Sequence, residues 1–108
     1  MNTPRTNTAA ERVIRFTRHI WAQSRERFPY CAALGLPRLR RLLSRAALHA
    51  PRYAEHAVIG KLYLRFRLPD GQAMTLVVAD SDDGGVPCRF IITALTDQQI
   101  PVYCVRIP

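Results

Sequence analysis

From Gly60 to Val78 the chain reads GKLYLRFRLPDGQAMTLVV, and every second residue from Lys61 falls in one row: Lys61, Tyr63, Arg65 and Arg67. The alternate row, Leu62, Leu64, Phe66 and Leu68, is wholly apolar. Alternation of this kind marks a strand with one buried and one solvated face. Three cations and a phenol in line fit either an ordinary wet sheet face or a surface that holds an anion. The later segment RFIIT adds Arg89 and Thr93, which join that face if the pairing permits, and Glu55 with His56 stand just ahead of it. These are the parts of metal-free RNA cleavage. A base takes the proton of a 2′-hydroxyl, cations stabilise charge on the phosphate, and the leaving oxygen gains a proton. Arginine and lysine hold phosphate, histidine, glutamate or tyrosine moves protons, and threonine orients an oxygen.

Other familiar centres are missing from the sequence: it has no Gly-rich phosphate loop, no HExxH, no dinucleotide fingerprint and no nucleophile elbow. ADSDDGG has the look of a calcium loop but lacks the final bidentate glutamate, so it reads as an acidic hairpin loop. Cys31, Cys88 and Cys104 are odd in number, widely spaced and without a CxxC pair. They read as three reduced thiols rather than a zinc site. No metal and no cofactor is expected.

Charge narrows the partners. The net charge is +8, and 15 of the 16 cations are arginine. Residues 1–60 carry 11 arginines against Glu11, Glu26 and Glu55, whereas residues 61–108 balance five cations with five aspartates. Arginine's planar fork pairs bidentately with phosphate or carboxylate. Such an excess favours a nucleic acid or an acidic protein. A GC-rich genome explains the preference for arginine over lysine but not the one-sided distribution.

The 108 residues suffice for one domain with one core. No run approaches the roughly 18 apolar residues of a membrane span. The polar start, MNTPRTNTAAER, lacks a signal-peptide core, so a cytoplasmic location is expected. Residues 1–8 read as a flexible lead, 9–56 as a basic helical half and 58–107 as an antiparallel sheet. Thr8 and Glu11 form a capping box, after which Val13, Phe16, Thr17, Ile20, Trp21, Ser24 and Phe28 keep a helical period up to Pro29. Arg12, Arg15, Arg18, His19 and Arg25 lie largely opposite that stripe. A second helix opens at Pro37 and runs to Pro51, burying Leu39, Leu42, Leu43, Ala46 and Ala50. Its other side carries Arg38, Arg41, Arg45 and His49, and RYAEHAVIG reads as a turn or short helix. Strands follow over 61–68 and 72–79, then in PCRFIITAL and PVYCVRI. The expected fold is α+β, with two N-terminal helices packed on one face of a four-stranded antiparallel meander (α-α-β-β-β-β).

Two helices, an arginine-bearing meander and a late RFIITAL strand resemble the small bacterial toxin ribonucleases, the RelE-type interferases and the related barnase- and colicin-like cleavers of mRNA and tRNA. The resemblance covers residues 37–107 and rests on short motifs. It implies catalysis by His56 at the helix–sheet junction, Arg65, Arg89 with Thr93, and Tyr103 on the last strand. Arg38, Arg41, Arg45, Lys61 and Arg67 would hold RNA phosphates, and an acidic antitoxin or other acidic protein would be a partner. The chain departs from RelE-type proteins by opening with a capped helix where they begin with a strand.

Each residue also has a plainer reading: a capping histidine at 56, solvated faces for the arginines, strand propensity for Thr93, cross-strand packing for Tyr63 and Tyr103. Three functions therefore stand open. They are a metal-independent endoribonuclease toxin, a non-catalytic nucleic-acid-binding or regulatory module, and a basic protein that docks on an acidic partner.

Overall fold

The computed structural model describes residues 12–56, 60–101 and 104–106. The capping box at Thr8 and Glu11, the lead over 1–8, and Tyr103 lie outside the described residues. Those described form β1 (Val13–Phe16), α1 (Ile20–Arg27), α2 (Pro29–Ala32), α3 (Leu36–His49), β2 (Arg52–His56), β3 (Leu62–Arg67), β4 (Ala73–Asp83), β5 (Val86–Leu95) and β6 (Cys104–Arg106). The class is α+β, as expected. The sheet, however, has six strands in the order β1-β5-β4-β3-β2-β6, and it is mixed because β1 runs parallel to β5. Three helices, not two, accompany it.

Segment 13–16 accounts for the largest departure. VIRF fits a helical stripe and a strand equally well, and pairing with β5 decides between them. Ile14 and Phe16 turn toward the core while Val13 and Arg15 stay exposed. Thr17 locks the junction, its hydroxyl 2.7 Å from the Ile92 carbonyl and 3.0 Å from that of Ile91. Pro29 then ends α1, because the residue before a proline is driven to extended backbone, as Phe28 is. In α3, Pro37 opens the helix, and Leu39, Leu43, Ala46 and Ala47 return on one buried face. RYAEH, expected as a turn or short helix, is strand β2 between β3 and β6. Asp80–Asp83, expected in a loop, extend β4, and Gly84 and Gly85 alone make the turn with φ of 59° and 87°. Two successive positive φ angles suit a tight two-residue hairpin and favour glycine at both positions.

Leu62, Leu64 and Leu68 pack beneath the helices with Met74, Leu76, Val78 and Ile91, as the alternation requires. Burying each such side chain fully stabilises the fold by about 1.5–3 kcal/mol. Because β1 occupies the free edge of β5, the last strand cannot sit there. The chain instead passes a 3-10 turn at Asp97–Gln99 and adds β6 to the far edge, beside β2.

Inside the helix-covered face lies one ion pair. Arg89 is 3% exposed, and its Nε and Nη2 donate to the Asp80 carboxylate at 2.6 and 2.8 Å. Its Nη1 donates to the Ala47 carbonyl of α3 at 2.8 Å, and Arg12 approaches Asp80 at 3.5 Å. Burial pushes the Asp80 carboxyl up, but the Arg89 hydrogen bonds and the charges of Arg89, Arg12 and Arg52 together bring it below its ordinary value.

Removing Arg89 strands a partly buried carboxylate, so Arg89→Ala should cost about 2–3 kcal/mol in urea unfolding, less than the roughly 3–5 kcal/mol of a fully buried pair because the Asp80 side chain is 24% exposed. Asp80 has a depressed folded pKa, so its stabilisation is present above the unfolded value of about 3.9 and is lost as pH falls through the folded one. The gap between wild type and Arg89→Ala should therefore close below about pH 4. A constant gap from neutral pH to acid would refute this account of the pair.

Candidate functional site

The row Lys61, Tyr63, Arg65 and Arg67 does face away from the helices, yet it is not an open cradle. Tyr63 is 4% exposed and packs with Ala54 and Val77 in a second, smaller core. Arg65 is engaged by Asp97 at 3.1 and 2.8 Å in a bidentate pair. The Arg65 hydrogen bond holds the Asp97 carboxyl below its ordinary value, and the same bond raises Arg65. Arg67 is exposed, but its Nη1 donates to the Gly71 carbonyl at 2.9 Å. His56 sits in β2 opposite Cys104, with its backbone N–H donating to the Lys61 carbonyl at 2.9 Å. Residues 96–101, through Asp97, thus cover part of the face the row was expected to offer to a ligand.

A cavity of about 380 Å³ remains beside that segment, lined by Tyr53, Asp97, Ile100, Pro101, Cys104 and Arg106. The Tyr53 ring has two guanidiniums within cation–π range, Arg65 at 5.5 Å and Arg106 at 5.2 Å from its centroid.

Arg89 and Thr93 do not join the row. Arg89 is buried in its ion pair on the other side of the sheet, as described above. Thr93 turns toward α1 for a local reason. Ile91 pairs with Val78 and Thr93 with Val77, so Ile92 is an extra residue in β5. Ala94 lies in the helix-side core, and strict alternation would send its neighbour Thr93 to the opposite face. The extra residue precedes Thr93, which stays paired with Val77; its hydroxyl reaches α1 where β5 runs past the end of β1 at Ile91. Thr93 Oγ1 donates to Gln23 Oε1 and accepts from Arg27 Nη1 at 3.4 Å, while the same Nη1 donates to the Ala94 carbonyl at 2.8 Å.

Gln23 and Arg27 are four residues apart on α1, and His19, exposed at its N-cap, is four residues before Gln23. The Gln23 N–H donates to the His19 carbonyl at 3.0 Å, so helical spacing stacks His19, Gln23 and Arg27 along one side. An amide, a guanidinium and a hydroxyl therefore line the α1–β5 junction, with the exposed His19 one turn before Gln23 on α1. Only Thr93 among them was singled out from the sequence. The i, i+4, i+8 spacing of the other three was visible, but the apolar stripe drew the reading of this helix. Arg38, Arg41 and Arg45 stay exposed on α3, beyond the helical layer from His56 and Lys61.

No protein-family model, curated protein or solved structure matches the chain. Among the described residues no helix is long and apolar enough to cross a membrane.

Thiol chemistry reports on this geometry. Cys31 and Cys88 are fully buried, and burial, with the Asp70 charge adding to it, pushes the Cys31 thiol up to about 11. Cys104 is half-buried in the wall of the 380 Å³ cavity. A disulfide reagent at pH 8 should modify Cys104 well before the other two, because the thiolate is the reactive form. Equal rates at all three would show that the cavity wall is not the accessible thiol.

Proposed function

We propose that the protein is a metal-independent endoribonuclease whose reacting centre is the α1–β5 junction. The observation that carries the reading is Thr93, set on a β-bulge between Gln23 and Arg27 with His19 along the same side of α1. Bulges recur beside active sites because they re-aim one side chain without disturbing the rest of a sheet. The net charge of +8 draws a polyanion, and all of it resides in residues 1–60, which supply His19, Gln23 and Arg27.

The parts map onto the reaction. Histidine is the side chain that titrates nearest neutrality, so His19 takes the proton of the 2′-hydroxyl. The 2′-oxygen attacks phosphorus, forming a 2′,3′-cyclic phosphate as the bond to the 5′-oxygen breaks. The departing oxygen takes its proton from solvent, to which the junction is open. Arg27 spends Nη1 on Thr93 and Ala94, and its Nε and Nη2 have no partner among the described residues. Those N–H groups are free to hold the phosphate as its charge grows. Thr93, its proton held by Gln23, accepts from Arg27 Nη1 and so aims that guanidinium at the phosphate.

The resemblance to small bacterial toxin ribonucleases supports the activity, though of this centre it shares only Thr93, and extends it to a toxin of a toxin–antitoxin or inter-bacterial system, with mRNA or tRNA as substrate. Strand β1, which precedes α1, is in keeping with the strand that RelE-type proteins begin with. A second reading has its own observation. Tyr53 between Arg65 and Arg106 is a stacking platform with cations at hand, which suits RNA binding without cleavage.

Purified protein should cut total RNA in EDTA and leave 2′,3′-cyclic ends. Thr93→Val, with an unchanged melting temperature, should slow cleavage by about tenfold or more; Arg27→Ala should slow it by about a hundredfold. Intact RNA with a salt-sensitive gel shift abolished by Tyr53→Ala would replace this reading with the binding one. Neither fragments nor a shift would leave docking on an acidic protein.

A further inference from the structure

Along α3 a second surface has a different character. Two cavities, of about 510 and 390 Å³, share Leu42 and Arg45 in their walls and so form one groove. Its floor is apolar: Leu34, Leu42, Ala46, Ala50 and Phe66 are buried or half-buried, with Tyr30 at one end. Its rim is a row of exposed cations, Arg38, Arg41 and Arg45, followed by His49. Those arginines have no acidic partner among the described residues, whereas Arg65 and Arg89 each hold an aspartate. From Arg38 to His49 the rim runs about 16 Å at the helical rise, the length of three helical turns.

We propose that this groove docks an acidic amphipathic helix of a protein partner. The partner's apolar side lies on Leu42 and Phe66, and its carboxylates pair with Arg38, Arg41 and Arg45. Charge complementarity makes the partner acidic, since the rim has cations and lacks anions. The floor selects a peptide over RNA. Single strands are held by stacking on aromatic faces, whereas this floor is aliphatic along its length, with aromatic rings only toward its ends. An aliphatic trough beside a charged rail is the arrangement in which an amphipathic helix lays its apolar side down. The inference stands apart from the catalytic reading, because α1 and Thr93 contribute nothing to the groove. Loss of cleavage in an Arg27 variant leaves it untouched.

The probe is a fluorescein-labelled, stapled helix of roughly three turns, with leucines on one side and glutamates on the other. Anisotropy at physiological salt compares it with a peptide of the same composition whose leucines are scattered, and with a short single-stranded RNA. The amphipathic helix should bind about tenfold or more tighter than the scattered one, and Arg41→Glu with Arg45→Glu should weaken it by at least that factor. Leu42→Trp, which fills the trough and keeps the charges, should weaken it likewise. Equal binding of both peptides would reduce the contact to charge alone and overturn the proposal. RNA that binds with the same sensitivity to Leu42→Trp would overturn it in favour of a nucleic-acid groove.

Discussion

A guanidinium that is 3% exposed must be paired, and the pairing of Arg89 constrains the rest of the sheet. Asp80 across the hairpin neutralises it, and the Ala47 carbonyl takes its remaining edge. One side chain thereby ties β5 to β4 and to α3. It also fixes which side of β5 looks inward. With Arg89 inside, Ile91 fills the core two residues on; beyond the extra residue Ile92, the Thr93 hydroxyl bonds to Gln23 and Arg27 of α1.

A second constraint is the edge of β5. A four-strand meander leaves that edge free for the last strand, but β1 occupies it in parallel. The chain must then cross to β2 at the far edge, and the crossing puts Asp97 onto Arg65. An exposed pair of this kind adds little stability, about 0.2–1 kcal/mol. Its effect is on chemistry instead. It neutralises the cation at the centre of the row that had seemed built for a phosphate. The crossing segment leaves in exchange the cavity beside Tyr53 and Arg106.

Much of this was legible in the residues. The alternation of Leu62, Leu64 and Phe66 against Lys61, Tyr63 and Arg65 gives the strand and its sidedness, and the stripe in α3 follows from 3.6-residue spacing with Pro37 at its start. The charge asymmetry needs no structure at all. What could not be read has a common cause in pairing over long sequence distance. VIRF satisfies both periods, so only contact with β5 some 75 residues later decides it. The position of β6 depends in turn on β1. A bulge at Ile92 leaves no mark on composition. Tyr63 and Arg67 share a list in sequence, yet one is buried by Ala54 and Val77 and the other is not, because burial depends on what crosses above them.

Two histidines on different elements are available for the same chemistry. His19 is exposed at the start of α1, one turn before Gln23, whereas His56 belongs to the partly covered face with Lys61 and Arg65. The direct measurement is the single-turnover cleavage rate of one defined RNA in EDTA by His19→Ala and by His56→Ala, both checked for an unchanged fold. Loss of about a hundredfold or more in His19→Ala, with His56→Ala near wild type, is the predicted result. The reverse pattern would contradict the placement of the centre at α1 and β5 and return it to the strand row.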